Sequence, residues 1–555
     1  MLVSYNDVQN ENSKLNIRNA KLKMDATCIS YKDTGYFSKT VTDYLEDQPD
    51  LRSFYSYRPD LKGFAELFND KKATADRPLL VEVLTQQYQT ISAVNAQAVI
   101  PTANIAALAH ENTYTVTTGH QLNIFAGPLF FIYKIVTAIK LSRQLKEAFP
   151  DKNFVPVYWM ATEDHDFAEI NYTNIGGKKV QWGLDAAGAT GRLNTKTIRD
   201  ALNQYKGVLG MEGHGAELAE IMETAYAKFD NLADSTRYLA NALFGQYGLV
   251  IIDADDSRLK KHFAEIITRD IIEQNSYKQI MATTALLQAI NVHIQVNPRE
   301  INFFYLTEGL RERIVFENER YQILNTEISF TEEELRTEIN EHPERFSPNV
   351  AMRPLYQEYI LPNLAYIGGG GELVYWLELR ANFDHYHIDF PLLILRNSGL
   401  VMSQETATKV RKMGLQPVDL FKSADSIKSD WVKKHTDHDL SLRDEWRELS
   451  LIFEKIKLRA CKIDETLSPS AAAVQARLKH AIDNLEKKLL RAEKRNYSTR
   501  LEQIDSIKTD LFPGGGLQER NENFGLFYVK YGQAFIDELI NNFEPLAFKF
   551  NVLTA

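Results

Sequence analysis

A β-branched segment and an apolar segment flank a segment with helical spacing in the first third of the chain. Thr113–Thr118 is rich in β-branched residues, which is typical of a strand. Leu129–Ala148 repeats its apolar residues near helical spacing, and Pro128 before it suits a helix start. Phe154–Ala161 is an almost continuous apolar run, as in a buried parallel strand. This pattern predicts a βαβ unit, and ligands of open parallel sheets bind beyond the carboxyl ends of the strands.

The same patterning predicts a larger α/β domain around this unit. Further strands are predicted at 248–253, 292–296, 301–305 and 390–395, and helical stretches at 216–244 and 256–290. We therefore predict an α/β fold with a parallel-sheet core over residues 1–425. Helical or β insertions are predicted at approximately 190–245 and 275–350, because some of the connecting stretches exceed a simple crossover.

A different pattern begins near residue 442. Apolar residues recur at alternating spacings of four and three from Leu442 to Leu467, which is the seam of a coiled coil. Ser468–Ser470 contains Pro469 and is predicted to end the first helix, and a second apolar seam runs from Val474 to Ala492. Two seamed helices joined by a short turn predict an antiparallel coiled-coil hairpin over 426–511. The segment 512–555 is predicted to be helical and to pack back on the core.

Composition narrows the class of function. The chain has 555 residues, of which 44% are hydrophobic and 25% charged, as in a globular protein of several structural units. The formal net charge of −10 argues against a nucleic-acid partner. Cys28 and Cys461 lie far apart, so neither a disulfide framework nor a cysteine zinc site is predicted. The start of the chain has no apolar signal region, and the most apolar run is short and interrupted by Lys134. We expect a cytoplasmic protein without membrane contact.

The turn after the first predicted strand is the leading candidate for chemistry. A glycine there lets the backbone approach a ligand, and the following helix start offers free N–H groups to a phosphate or carboxylate. His120 can stabilise charge that develops in a transition state. An ordinary βα turn with a satisfied histidine is the alternative. The turn matches neither GxGxxG nor GxxxxGK[ST], which disfavours simple dinucleotide-binding and P-loop proteins. The candidate binding residues around His120 are Thr118, Gly119, Gln121, Asn123 and Gly127.

An acidic cluster follows the next predicted strand. Asp164, His165 and Asp166 come directly after Glu163, and together they can bind a divalent cation, hold an amine or act as a base. A solvated acidic turn is the alternative interpretation. The position of the cluster beside the first turn favours a functional role, and we predict no firm metal site.

A third group of candidates lies between residues 353 and 396. Four glycines before a predicted helix can form an anion-binding loop, and an arginine can bind a carboxylate or phosphate through its planar fork. A flexible loop and surface ion pairs are the alternatives. The candidate residues of this group are Arg353, Gln357, Gly368, Gly369, Gly370, Glu372 and Arg396.

Four segments in this order carry a resemblance to a known family. The segments are TTGHQLNIFAGPLFFIYK, ATEDHDFAEI, MRPLYQEYILPNLAYIGGGGELVYW and LQERNENF. They resemble the BshC family, the cysteine-adding enzymes of bacillithiol biosynthesis. The resemblance implies a Rossmann-like core with connective-peptide-like insertions, an antiparallel coiled-coil arm and a homodimer. It also implies amide formation between L-cysteine and the glucosamine amine of glucosaminyl-malate.

The resemblance also implies roles for the candidate residues. A carboxylate is a poor acyl donor, so ATP, alone or with Mg²⁺, is expected to activate cysteine, most simply as an acyl-adenylate. His120 would stabilise the α-phosphate, and Asp164 and Asp166 would hold an amine or a metal. His165 would accept a proton from the attacking ammonium. Arg353 and Arg396 would bind the malate carboxylates, and Gly368–Glu372 would line the opposite wall.

Two other functions stay open beside the cysteine ligase. The same turn can serve a nucleotidyl or acyl transferase that uses another amino acid. The chain can also be a coiled-coil scaffold with an inactive nucleotide-binding fold, although a scaffold does not require polar residues to converge after the strands.

Overall fold

A computed structural model describes residues 22–71 and 74–555 and confirms the predicted α/β fold class. The strands are β1 (Asp25–Ser30), β2 (Thr113–His120), β3 (Asn153–Met160), β4 (Tyr172–Ile175), β5 (Lys178–Gln181), β6 (Val250–Asp253), β7 (Phe303–Thr307), β8 (Leu310–Glu317), β9 (Arg320–Ile323), β10 (Ser329–Phe330), β11 (Phe346–Pro348), β12 (Asn363–Gly368), β13 (Leu392–Leu395), β14 (Gly399–Met402) and β15 (Lys549–Thr554).

The α-helices are distributed along the whole described chain. They are α1 (Tyr31–Thr34), α2 (Lys39–Leu45), α3 (Leu61–Asp70), α4 (Arg77–Val94), α5 (Thr102–Ala107), α6 (Phe130–Ala148), α7 (Phe167–Ile170), α8 (Arg199–Leu209), α9 (Gly213–Lys228), α10 (Leu232–Phe244), α11 (Ser257–Glu273), α12 (Asn275–Ala289), α13 (Glu332–Glu341), α14 (Arg353–Ile360), α15 (Gly370–Glu378), α16 (Arg380–Tyr386), α17 (Gln404–Lys412), α18 (Ala424–His435), α19 (Arg443–Ile463), α20 (Leu467–Asn496), α21 (Ser498–Leu511), α22 (Gln518–Asn521), α23 (Gly525–Tyr531) and α24 (Gln533–Asn542).

A five-stranded parallel sheet forms the centre of the first compact unit, which comprises the chain up to Val401 and Gly516–Ala555. Its order is β13–β12–β2–β3–β6, and every neighbouring pair is parallel. The chain passes from β2 through β3 to β6 on one side of β2, whereas β12 and β13 lie on the other side. The direction of winding therefore reverses between β2 and β12. Open α/β sheets bind their ligands at such a switch point.

Helix α6 packs on β2 and β3 and is buried along most of its length. The residues of the core cluster come from α3, β2, α6, β3, β12 and β13, and burial of each large apolar side chain contributes about 1.5–3 kcal/mol. The βαβ unit predicted from the apolar pattern is confirmed. In the described part of the chain, none of the helices is both long and apolar enough for a bilayer crossing.

The predicted strand at 292–296 is wrong. Its backbone does not join a sheet, because the N–H groups of Gln295 and Val296 donate to the Glu378 carboxylate, at 2.7 and 3.2 Å. The predicted strand at 301–305 exists as β7, but it belongs to an antiparallel sheet of order β10–β9–β8–β7–β11. This sheet, with α11–α14, lies between β6 and β12 in the chain. Another insertion, β4, β5 and α7–α10, separates β3 from β6.

The two long helical stretches are each interrupted once. The stretch 216–244 is divided between α9 and α10 at Phe229–Asn231, where the Asn231 side chain caps the start of α10. The stretch 256–290 is divided at Gln274, which lies in the left-handed region with φ of 54°. Apolar periodicity alone does not reveal such breaks.

The second compact unit, Met402–Gly515, contains α17–α21 and includes the predicted hairpin range of 426–511. Helices α19 and α20 pack against each other as the predicted antiparallel coiled coil. The turn lies at Asp464–Thr466, so the predicted break at Ser468–Ser470 is wrong. Pro469 falls in the first turn of α20, where the missing N–H of a proline costs no helical hydrogen bond.

The prediction that the last segment is helical as far as Ala555 is wrong. After α24, Lys549–Thr554 forms β15, which lies between β1 and β14. It pairs antiparallel with β1 in the register Asp25↔Thr554. The two ends of the described chain thus close on each other.

Candidate active site

A cavity of about 320 Å³ lies at the carboxyl ends of β2, β3 and β12, at the switch point of the parallel sheet. We call it the site cavity. It is lined by Gly119, His120, Gln121, Phe130, Lys134, Trp159, Ala161, Asp164, Val350, Arg353, Pro354, Gln357, Tyr366, Glu372, Tyr375 and Trp376. Residues from all three sequence-predicted groups therefore meet in one cavity.

His120 is a neutral imidazole at the end of β2. Its ring centroid lies 5.2 Å from that of Phe130 and 5.4 Å from that of Phe131. Burial lowers the pKa of His120 well below its usual range, and the charges of Lys134 and Arg396 lower it further. The Nε2 atom is buried and has no hydrogen-bond partner within residues 22–71 and 74–555. This atom can therefore form a hydrogen bond with a ligand.

Lys134 supplies a buried positive charge from the second turn of α6. Its Nζ donates to the Gly119 carbonyl at 2.7 Å and to both carboxylate oxygens of Glu372, at 2.7 and 2.8 Å. Burial lowers the pKa of Lys134, while the carboxylate of Glu372 acts in the opposite direction. The hydroxyl of Tyr366 donates to the same carboxylate at 2.6 Å. The turn after β2 is thus tied to the start of α15.

Asp164 is the ionised carboxylate of the opposite wall. Its Oδ2 accepts from Gln121 at 3.1 Å and lies 3.9 Å from the Arg353 guanidinium. Burial by itself would raise the pKa of Asp164, but Arg353 and Arg311 outweigh it and hold the pKa below its usual range. The cavity therefore offers a fixed negative charge beside an arginine.

The glycine segment lies beside the cavity and does not line it. The Gly369 N–H donates to Glu372 Oε1 at 3.1 Å, so the Glu372 carboxylate already occupies the start of α15. A Cβ on Gly368 would lie 3.0–3.1 Å from Leu373, Glu372 and Tyr366. The glycine at 368 lets the end of β12 approach these side chains closely.

Other predicted residues also lie outside the lining of the cavity. Thr118 is buried and donates to the Ile367 carbonyl at 2.9 Å, which joins β2 to β12. His165 and Asp166 are exposed. Arg396 is buried in an ion pair with Glu519, with 2.7 Å between Nη2 and Oε1.

Gly127 belongs to the strained turn that connects β2 to α6. Phe125, Ala126 and Gly127 all have positive φ, of 53°, 63° and 54°. Asn523 holds this turn, because its Nδ2 donates to the carbonyls of Phe125 at 3.0 Å and Gly127 at 2.7 Å. Asn123 lies in the same turn, and a Cβ on Gly127 would lie 2.5 Å from its Cβ. The turn orients Gln121 and the start of α6 towards the site cavity.

Both parts of the chain match family models. Residues 24–397 match the model described as bacillithiol biosynthesis BshC, N-terminal Rossmann-like domain. Residues 399–555 match bacillithiol biosynthesis BshC, C-terminal coiled-coil domain. The chain belongs to the BshC family. The resemblance seen in the four sequence segments is confirmed.

Three relatives from the BshC family match nearly the whole chain, and each bears the name "Putative cysteine ligase BshC". The protein of Flavobacterium johnsoniae is 44% identical over 96% of this chain and 100% of its own length. The protein of Cytophaga hutchinsonii is 36% identical over 94% of this chain and 97% of its own length. The protein of Bacillus cereus is 26% identical over 90% of this chain and 95% of its own length.

Sequence reasoning missed several residues of this BshC site. Lys134 is the clearest, and a signal for it existed, because a single lysine interrupts the long apolar run of α6. Tyr366 and Trp159 lie in apolar strands, where aromatic residues are most often core, so their pattern did not mark them. Arg311, whose charge lowers the pKa of Asp164, is 7% exposed and donates from Nε to the Ser347 hydroxyl at 3.1 Å.

Proposed function

We propose that the chain joins L-cysteine to the glucosamine amine of glucosaminyl-malate through an amide bond, with ATP activating the cysteine carboxylate. Membership of the BshC family makes the chain a cysteine ligase of bacillithiol biosynthesis, an enzyme that forms a carbon–nitrogen bond.

One observation carries the proposal: charged groups of both signs face one cavity at the switch point of the sheet. Asp164 is held ionised there, and Arg353 lies 3.9 Å away. The buried Lys134 and the partly exposed Glu372 form a second pair in the cavity wall. An amino acid carries an ammonium and a carboxylate close together, and glucosaminyl-malate adds two carboxylates and an amine. Such zwitterionic and anionic substrates suit a cavity with paired charges of both signs.

The reaction proceeds in two balanced steps in this proposal. The cysteine carboxylate attacks the α-phosphate of ATP, and pyrophosphate leaves. The sugar amine then attacks the acyl carbon, the C–N bond forms, and AMP leaves with the electron pair of the broken C–O bond. Asp164 holds the reacting ammonium group, and Arg353 holds a carboxylate or phosphate oxygen. The neutral imidazole of His120, with Nε2 unpaired in the described residues, forms a hydrogen bond to the α-phosphate, and the proton that the amine releases passes to solvent.

We further propose that the protein is a homodimer in the cytoplasm and that the coiled-coil unit joins the two subunits. Leu451, Ile452, Leu458 and Ile463 on α19 are all more than half exposed. Several exposed apolar side chains on one solvated helix are typical of an interface.

The proposal is tested by incubating purified protein with L-cysteine, glucosaminyl-malate and ATP and measuring the product by mass. We expect the mass of the amide, one AMP for each amide, and no amide when cysteine or ATP is omitted. Amide formation with another amino acid and none with cysteine would support the acyl-transferase alternative. An absence of turnover with every amino acid would support the inactive scaffold.

A further inference from the structure

A second, much smaller recess lies beneath the turn that follows β2. Its volume is about 10 Å³, close to that of a single water-sized group. The walls are mainly apolar and come from the turn, α6, β3 and α10, with Ala126, Phe131, Tyr158, Leu239 and Ala240 among them. These five residues are almost fully buried, so the size of the recess is fixed by packed side chains.

The recess adjoins the site cavity. Gln121 lines both. Phe131, on the recess side, stacks on the His120 ring that lines the site cavity, with 5.4 Å between ring centroids. The Tyr158 hydroxyl, also of the recess, lies 3.4 Å from the carbonyl oxygen of His120. A substrate held at His120 and Asp164 can therefore extend a short side chain past Gln121 into the recess.

The recess also contains a polar atom without a partner. Asn123 lines it, and the Oδ1 of Asn123 is buried with no hydrogen-bond partner in the part of the chain that the structure describes. A buried acceptor of this kind is costly unless a ligand donates to it. A thiol is a weak donor and loses little hydration on burial in apolar surroundings, whereas a hydroxyl loses more.

We propose that this recess binds the thiol side chain of the amino-acid substrate, with the S–H group directed at Asn123 Oδ1. This inference rests on the proposed cysteine ligation. Because the recess has room for only one small group, it selects among amino-acid substrates by the size of their side chains. Side chains longer than that of cysteine do not fit without displacement of packed residues.

The test measures the ratio of kcat/KM for S-methyl-L-cysteine to that for L-cysteine. We expect a ratio of about 0.01 for the native protein, because the additional methyl group has no room. L-2-Aminobutyrate, with a methyl group in place of the thiol, should be used within about tenfold of cysteine, because its side chain has a similar size.

Two variants on α10 distinguish a change in the recess from the general effect of an alanine-to-glycine substitution. Ala240→Gly removes a methyl group from the recess wall and should raise the ratio about tenfold. Ala233→Gly makes the same change on the same helix away from the recess and should leave the ratio unchanged. Because each ratio is measured within one variant, a loss of stable protein does not alter it.

The outcomes distinguish this inference from the proposed function. If the native protein forms no amide from cysteine, the proposed function fails and the recess assignment fails with it. If cysteine is ligated but Ala240→Gly and Ala233→Gly give the same ratio, only the recess assignment is overturned. Equal use of cysteine and S-methyl-L-cysteine by the native protein also overturns it, and this measurement needs no variant.

Discussion

Burial sets the charge of the individual ionisable residues in and below the site cavity. His120 is neutral, whereas Asp164 is ionised because two arginines face it. Glu358 lies beneath the cavity next to Gln357, and its Oε1 accepts from Gln357 at 2.8 Å and from Asn363 at 2.7 Å. Burial raises the pKa of Glu358 from 4.5 to about 7. The carboxyl group is therefore protonated in the folded protein under mildly acidic conditions.

Glu358→Gln should change how the free energy of unfolding depends on pH. The folded protein binds the Glu358 proton more tightly than the unfolded chain does, so this group's stabilisation is complete below about pH 4.5 and is lost as the pH rises to about 7. As the pH rises from 4.5 to 8, the free energy of unfolding of the variant should increase by about 3 kcal/mol relative to that of the native protein, at about 1.4 kcal/mol per unit of pKa shift. Urea unfolding at a series of pH values measures this gain. The exposed Glu66→Gln serves as control, and equal slopes for both variants would refute the assignment.

At the scale of elements, the turn between β2 and α6 depends on contacts that are remote in sequence. Residues 125–127 all have positive φ, which is unfavourable for the non-glycine residues Phe125 and Ala126. The hydrogen bonds from Asn523 satisfy carbonyls on both sides of Ala126. The C-terminal segment thus holds the turn that positions Gln121 and the start of α6.

Gly127→Ala should destabilise this turn. A Cβ at 127 would lie 2.5 Å from the Asn123 Cβ, and φ of 54° strains any residue with a side chain. We expect the free energy of unfolding to fall by about 1–3 kcal/mol and product formation to fall with it. Thermal unfolding and the amide assay measure the two effects. Gly183→Ala, where the Cβ meets open space at an ordinary φ, is the matched control. Equal stability of the two variants would contradict this account of the turn.

The apolar pattern of the sequence predicted the elements that depend on local sequence. It failed where residues remote in the chain determine the backbone conformation. The βαβ unit and the coiled coil follow from apolar periodicity, and both were predicted. The segment 292–296 has the composition of a strand, but Glu378, some 80 residues away in the chain, takes its N–H groups. The positive φ of Phe125 and Ala126 was invisible in the sequence for the same reason, since Asn523 supports it.

The site itself was predicted in part. Gly119, His120 and Asp164 follow directly after predicted strands, so the sheet topology brings them together. Lys134 was missed because its side chain is held at the cavity by an ion pair with Glu372, which is 238 residues away in the chain. His165 and Asp166 adjoin Asp164 in sequence, yet they are exposed and do not line the cavity.

At the scale of the whole molecule, the coiled-coil unit should determine the oligomeric state. Leu451 and Leu458 are seven residues apart on α19, so they share one face, and they are 60% and 64% exposed. Sedimentation of the native protein should give a dimer. A double substitution, Leu451→Lys with Leu458→Lys, should give a monomer, because it places charges in an apolar interface.

A matched control places the same charges elsewhere. Met211→Lys with Leu286→Lys replaces two exposed apolar residues of the first unit, which are 72% and 62% exposed. This variant should stay dimeric. A native monomer, or a dimer that survives the substitutions on α19, would contradict the proposed assembly.

The most direct test of the central claim compares two aspartates of the same loop. Asp164 lines the site cavity, whereas Asp166, two residues later, is exposed outside it. If the cavity is the reaction centre, Asp164→Asn should lower kcat/KM for amide formation from L-cysteine and glucosaminyl-malate by about 100-fold or more, through loss of the charge that holds the ammonium. Asp166→Asn should stay within about threefold of the native protein, since a surface charge contributes little. Equal effects of the two substitutions, or a larger loss in Asp166→Asn, would contradict the assignment of the cavity as the active site.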